Sequence, residues 1–137
     1  MRKGLYYDIL HVQPKNDNDV EVANLLARFE DELQADAVFV DAGYGTGIVS
    51  VGKVLGRHWR LVWSAGKSAD PGCLNKRAEM GVKVRDWLRA GGSLPTKYPR
   101  LREDLIGVEL LPRLDDLIQL ESKEQMKKRG LPSPDFF

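Results

Sequence analysis

The chain has 137 residues, of which 42% are hydrophobic and 30% charged, with a formal net charge of +1; this suits one domain with a buried core and gives no overall polyelectrolyte character. No run approaches the ~20 apolar residues of a membrane span, and Met1-Arg2-Lys3 leads into Leu5-Tyr6-Tyr7-Asp8 rather than an apolar signal core, so a cytoplasmic protein is expected. The single cysteine, Cys73, excludes an intrachain disulfide and has no Cys or His companions at zinc-ligand spacing.

Leu5 to Val12, closed by Pro14, reads as an edge or hairpin strand after a turn at Lys3-Gly4. Asp19 is placed to cap a helix on which Val22, Leu25, Leu26, Phe29 and Leu33 recur at three- and four-residue steps. The outer side of that helix is acidic, because between Asn16 and Asp36 seven acids face only Arg28. Ala37 to Val40 is a short apolar run ending at Asp41 and a glycine cluster, as expected of a buried parallel strand entering a loop. Ile48 to Leu55 is the next expected helix, and Trp59 to Trp63 a second buried strand closed by Ser64-Ala65-Gly66. This alternation implies right-handed crossovers and a largely parallel sheet.

Beyond Asp70-Pro71-Gly72, the positions Ala78, Val82, Val84 and Leu88 define a long helix stopped by Gly91-Gly92. Leu101, Leu105 and Ile106 suggest a short helix, and Val108 to Leu111 and Leu117 to Leu120 are strand candidates ahead of the charged stretch Glu121 to Arg129. Trp59, Trp63 and Trp87 each sit in an apolar pattern and are expected in the core. From Lys76 to Arg102 eight basic residues face only Glu79 and Asp86, so a polyanion meets this half of the chain first; a solvated basic helix face is an equally good reading of charge alone.

Three readings compete for Val38-Phe39-Val40-Asp41-Ala42-Gly43-Tyr44-Gly45-Thr46-Gly47. A dinucleotide or S-adenosylmethionine loop needs an acid after the next strand for the ribose hydroxyls, and Ser64-Ala65-Gly66-Lys67 has none there. A phosphate loop is matched in spacing by Gly47 and Gly52-Lys53, yet Val54 stands where a magnesium-binding Ser or Thr belongs. The third makes Asp41 a ligand for hard Mg²⁺ or Mn²⁺, which prefer carboxylate oxygen, with capping of the following helix as its bland alternative.

Three blocks carry a resemblance: Val38 to Gly47; Asn75-Lys76-Arg77-Ala78-Glu79-Met80 with Arg85-Asp86-Trp87-Leu88; and Leu120-Glu121-Ser122-Lys123-Glu124-Gln125-Met126-Lys127-Lys128-Arg129-Gly130 with Ser133-Pro134-Asp135. Together the chain resembles the C-terminal nuclease domain of phage terminase large subunits. The resemblance implies an α/β fold, a ribonuclease H-like mixed sheet flanked by helices. It implies a single partial domain over 1–137, without the family's first catalytic strand, the end of its last helix and its ATPase domain. It also implies cleavage of concatemeric DNA in a bacterial host cell by a two-metal site holding Mg²⁺ or Mn²⁺, with Asp41 and Asp135 as ligands and catalytic residues. Lys76, Arg77, Lys123, Lys127, Lys128 and Arg129 are the expected contacts to double-stranded DNA phosphates, with surface solvation as the alternative. Glu121 is either an auxiliary acid or a charged strand end. The intact protein would work beside a packaging ATPase domain, a small terminase subunit and the portal; the chain on its own is expected to cut weakly or not at all, and an inactive prophage remnant or DNA-binding fragment of the same fold is the competing reading.

Overall fold

The computed structural model describes residues 2–11 and 14–132, and the chain divides into two compact units, Val12–Gly66 and Met1–His11 with Lys67–Phe137. The architecture is mixed α/β, with five helices and three two-stranded sheets among the described residues. No helix of these residues is long and apolar enough to cross a membrane.

In the first unit, Val12–Gly66, helix α1 spans Asp19–Leu33. Its cap is Asn18 rather than Asp19: the Asn18 side chain accepts from the Val20 and Glu21 amides at 3.2 and 3.3 Å, which leaves Asp19 inside the first turn where a negative charge suits the helix dipole. Strand β3, Phe39–Asp41, pairs in parallel with β4, Arg60–Val62, in the register Phe39 to Arg60, Val40 to Leu61 and Asp41 to Val62. Between them runs helix α2, Ala42–Val54, which begins directly at the strand end and not at Ile48. The expected glycine loop is therefore the first turn and a half of a helix.

Packing explains that difference. The core of this unit is Ala23 and Ala27 of α1, Val49 of α2 and Trp59, with Leu26, Val38, Val40, Ile48, Val51 and Leu61 around them. Two alanines one turn apart give α1 a shallow face, and glycines give α2 another. A methyl at Gly45 would overlap Val40, and one at Gly52 would overlap the Trp59 ring. Glycine's helix penalty of about 1 kcal/mol is accepted here because the backbone of α2 lies against the sheet. Trp59 is fixed in turn by its indole N–H donating to Glu30 at 2.8 Å, and Arg57 bridges Glu30 and Asp31 at 3.3 and 2.6 Å. Trp63 departs from its expected core role and is exposed.

In the second unit the N-terminal stretch forms the expected hairpin after a turn at Gly4, β1 (Arg2–Lys3) with β2 (Tyr6–Tyr7), though β2 covers only two residues of the run expected from Leu5 onward. Leu5 and Tyr7 instead bond to Ser93 through the main chain. Helix α3, Lys76–Arg89, is capped by the Asn75 side chain accepting from Ala78 at 2.9 Å, and it ends before Gly91-Gly92 as expected. Helix α4, Pro99–Gly107, carries proline in its first turn, where the missing N–H costs nothing. Strands β5 (Leu110–Leu111) and β6 (Gln119–Leu120) are antiparallel, and α5, Lys123–Lys128, follows behind a Ser122–Gln125 capping box. A largely parallel sheet is thus replaced among the described residues by one parallel strand pair, joined through α2, and two antiparallel pairs.

The contact between α2 and Trp59 gives a test. An exposed helical Gly→Ala change gains about 1 kcal/mol, whereas Gly52→Ala is expected to lose about 1–3 kcal/mol by overpacking, read by urea unfolding; a stabilised Gly52→Ala variant would contradict the packing described.

Candidate functional site

Asp41 is the last residue of β3 and the residue before the first turn of α2. Its backbone is extended (φ −61°, ψ 127°), and its carboxylate makes no capping hydrogen bond. The side chain is exposed and has no hydrogen-bond or ion-pair partner among the described residues. The capping reading thus fails on geometry: the carboxylate stands at the C-terminal end of a parallel strand and is left free for something else. In open α/β structures that is the end of the strands where ligands bind.

The glycines beside Asp41 do not form a nucleotide cradle. Ala42 and Gly45 are buried in the helix, and the segment's backbone amides from Thr46 onward belong to helical pairing. Only the first-turn amides remain outside that ladder.

The other expected metal ligand, Asp135, lies outside the described residues. Among the described residues, no group of three or more His, Cys, Asp or Glu side chains comes together to hold an ion. One open carboxylate fits one ligand position for Mg²⁺ or Mn²⁺, and the described residues do not complete a two-ion site.

In the second unit the residues expected on DNA separate into two classes. Lys123, Lys127 and Lys128 of α5 are exposed, and Lys123 and Lys127 lie one turn apart on one side of the helix. Lys76, Arg77 and Arg129 are engaged inside the protein. Lys76 pairs with Glu79 at 2.6 Å. The half-buried Arg77 donates to the Glu121 carbonyl. Arg129 donates to both carboxylate oxygens of Glu121, to Glu109 at 2.8 Å and to the Gly107 carbonyl at 2.7 Å.

Glu121 directly follows β6, as the strand-end reading expects, and it is buried rather than solvated. It is 2% exposed and also accepts from the Glu109 amide at 2.9 Å. Arg129 holds its carboxyl below the ordinary range, with the Glu109 amide and Arg77 helping, while burial acts the other way.

Glu79, which sequence reasoning missed as a site, is 3% exposed and collects four donors: Lys83 at 2.5 Å, Lys76 at 2.6 Å, the Ala69 amide at 2.8 Å and the Ser68 hydroxyl at 3.0 Å. Lys76 first, then Lys83 and the Ala69 amide, hold its carboxyl far below the usual carboxylate range against the opposing effect of burial. The signal was present in the spacing, since Lys76 and Lys83 stand three residues before and four after Glu79 on one helix. Cys73 is buried, and burial pushes its thiol up, which suits packing rather than nucleophilic chemistry.

Compared with known proteins, the chain matches no family model, no curated protein and no solved structure.

Glu79 makes acid stability testable. Its folded pKa is depressed, so its stabilising contribution is complete above the ordinary carboxylate range and is lost as pH falls through that range toward the folded value. Glu79→Gln should lower the unfolding temperature at neutral pH by roughly 5 °C and flatten its decline between about pH 5 and pH 2. Thermal scans across that window check this, and an unchanged acid limb would show that Glu79 does not carry the linkage.

Proposed function

We propose that the chain is a nuclease domain of the phage terminase large-subunit type, with a ribonuclease H-like ancestry for its α/β units and Asp41 as a ligand for Mg²⁺ or Mn²⁺. The substrate is double-stranded DNA, and in the intact protein the domain works with a packaging ATPase domain, a small terminase subunit and the portal. One observation carries this reading: an exposed, unpartnered carboxylate ends the one parallel strand pair among the described residues. A bound ion would there supply Lewis-acid polarisation and an activated water. The role of this chain is limited to holding that ion and meeting the DNA. Of the six residues expected on DNA, Lys123, Lys127 and Lys128 are those left open for phosphates, since Lys76, Arg77 and Arg129 serve Glu79 and Glu121.

A second reading, a non-catalytic DNA-binding fragment of the same fold, is favoured by the fate of the buried glutamates. Glu79 and Glu121 are both neutralised by lysine or arginine and offer no open oxygen edge to an ion.

A plasmid-nicking assay separates the two. The expected result is slow, Mn²⁺-dependent conversion of supercoiled to nicked plasmid by the unaltered chain, reduced at least about 100-fold in Asp41→Ala with an unchanged circular dichroism spectrum. Cutting that is indifferent to Asp41→Ala would overturn the assignment. A folded chain that retards DNA in a gel but never cuts returns the second reading. In the same gels, replacing Lys123, Lys127 and Lys128 together by Ala should weaken retardation and reduce its salt dependence, and unaltered retardation would remove α5 from the DNA surface.

A further inference from the structure

The β3–β4 pair has helices on one face only. Val40 and Leu61 pack toward the core with Trp59, and alternation along the strands puts Phe39 and Asp41 of β3 on the opposite face with Arg60 and Val62 of β4. Among the described residues that second face is open at its β3 side, where Phe39 is 62% exposed. Parallel strands ordinarily have both faces covered. Phe39, with the half-buried Val62 on the neighbouring strand, gives this open face an apolar centre for a contact.

The charges on the face select what covers it. Asp41 and Arg60 lie at diagonal positions of the register, and neither side chain makes a hydrogen bond or ion pair among the described residues. A cationic partner would satisfy Asp41 and strand Arg60, and an anionic partner would do the reverse. One acid and one base at opposite corners of an apolar patch are complementary to the same arrangement turned about a two-fold axis, which repeats every contact twice. We propose that two copies of this chain associate through the open face of β3 and β4, with Asp41 of each copy paired to Arg60 of the other and Phe39 and Val62 packed between the two pairs.

This goes beyond the nuclease reading and does not depend on it. In the paired state Asp41 is taken by Arg60 of the second copy, so a divalent ion and the second copy compete for it. The experiment is therefore run in EDTA, where failure of the ion reading leaves the outcome untouched. Sedimentation velocity across the micromolar range should show a reversible dimer. Asp41→Arg and Arg60→Asp should each raise its dissociation constant at least about tenfold, and combining the two substitutions should restore it. Phe39→Ser, at an exposed position, should give a folded monomer by circular dichroism. A wild-type chain that stays monomeric throughout, a dimer indifferent to Phe39→Ser, or a folded double variant that remains as weak as the single ones would each overturn the proposal.

Discussion

The unit Val12–Gly66 depends on how closely helix α2 lies against Val40, Leu61 and Trp59. Gly45 and Gly52 permit that approach, and Ala23 and Ala27 permit the matching approach of α1. The parallel pairing of β3 and β4 follows, because a 13-residue helix folded flat on the two strands returns the chain in the same direction. The exposure of Asp41 follows as well. Helix α2 starts at the strand end without using the carboxylate, so the acid stands at the C-terminal edge of the pair with no side-chain partner among the described residues. The Trp59–Glu30–Arg57–Asp31 chain of contacts then ties the strand side of the unit to the outer face of α1.

In the other unit the organising contacts are ionic. Glu79 gathers the ends of Ser68, Ala69, Lys76 and Lys83 around one carboxylate, and Glu121 gathers Arg129, Glu109 and the β5–β6 pair around another. Buried carboxylates survive only with such partners, since removing one side leaves a charge in a poorly solvated place. The consequence for function is subtraction. Half of the basic residues expected on DNA are committed to these two glutamates, and the other three, Lys123, Lys127 and Lys128, lie exposed on the short helix α5.

Much of the layout was legible in the sequence. Apolar spacing placed α1, α3 and α4 near their observed positions, and Ala37 to Asp41 and Trp59 to Trp63 were recognisable as strands. The glycine segment was misjudged because glycine signals both loops and close helix packing, and only the identity of the facing side chains, Val40 and Trp59, decides between them. The Leu5 to Val12 strand shortened to a hairpin arm because β propensity is realised only where a neighbouring strand accepts the backbone, and here Ser93 takes that place for two residues alone. Helix α5 was hidden by its charge, although Ser122 and Gln125 stand at capping-box spacing. The place of Asp41 at a strand end was legible from the apolar run before it. Glu121 and Arg129 were not seen as partners, since nothing in an eight-residue separation spanning a strand end and a helix announces that they meet.

The nuclease reading proposed for this chain rests on the carboxylate of Asp41 attracting a divalent ion. Paramagnetic broadening by substoichiometric Mn²⁺, followed in amide NMR spectra of the isotope-labelled chain, locates that ion directly. Loss of the Asp41, Ala42 and Gly43 signals before all others, abolished by Asp41→Asn, is the predicted result. Broadening that spares these three residues and follows the acidic face of α1 would contradict it.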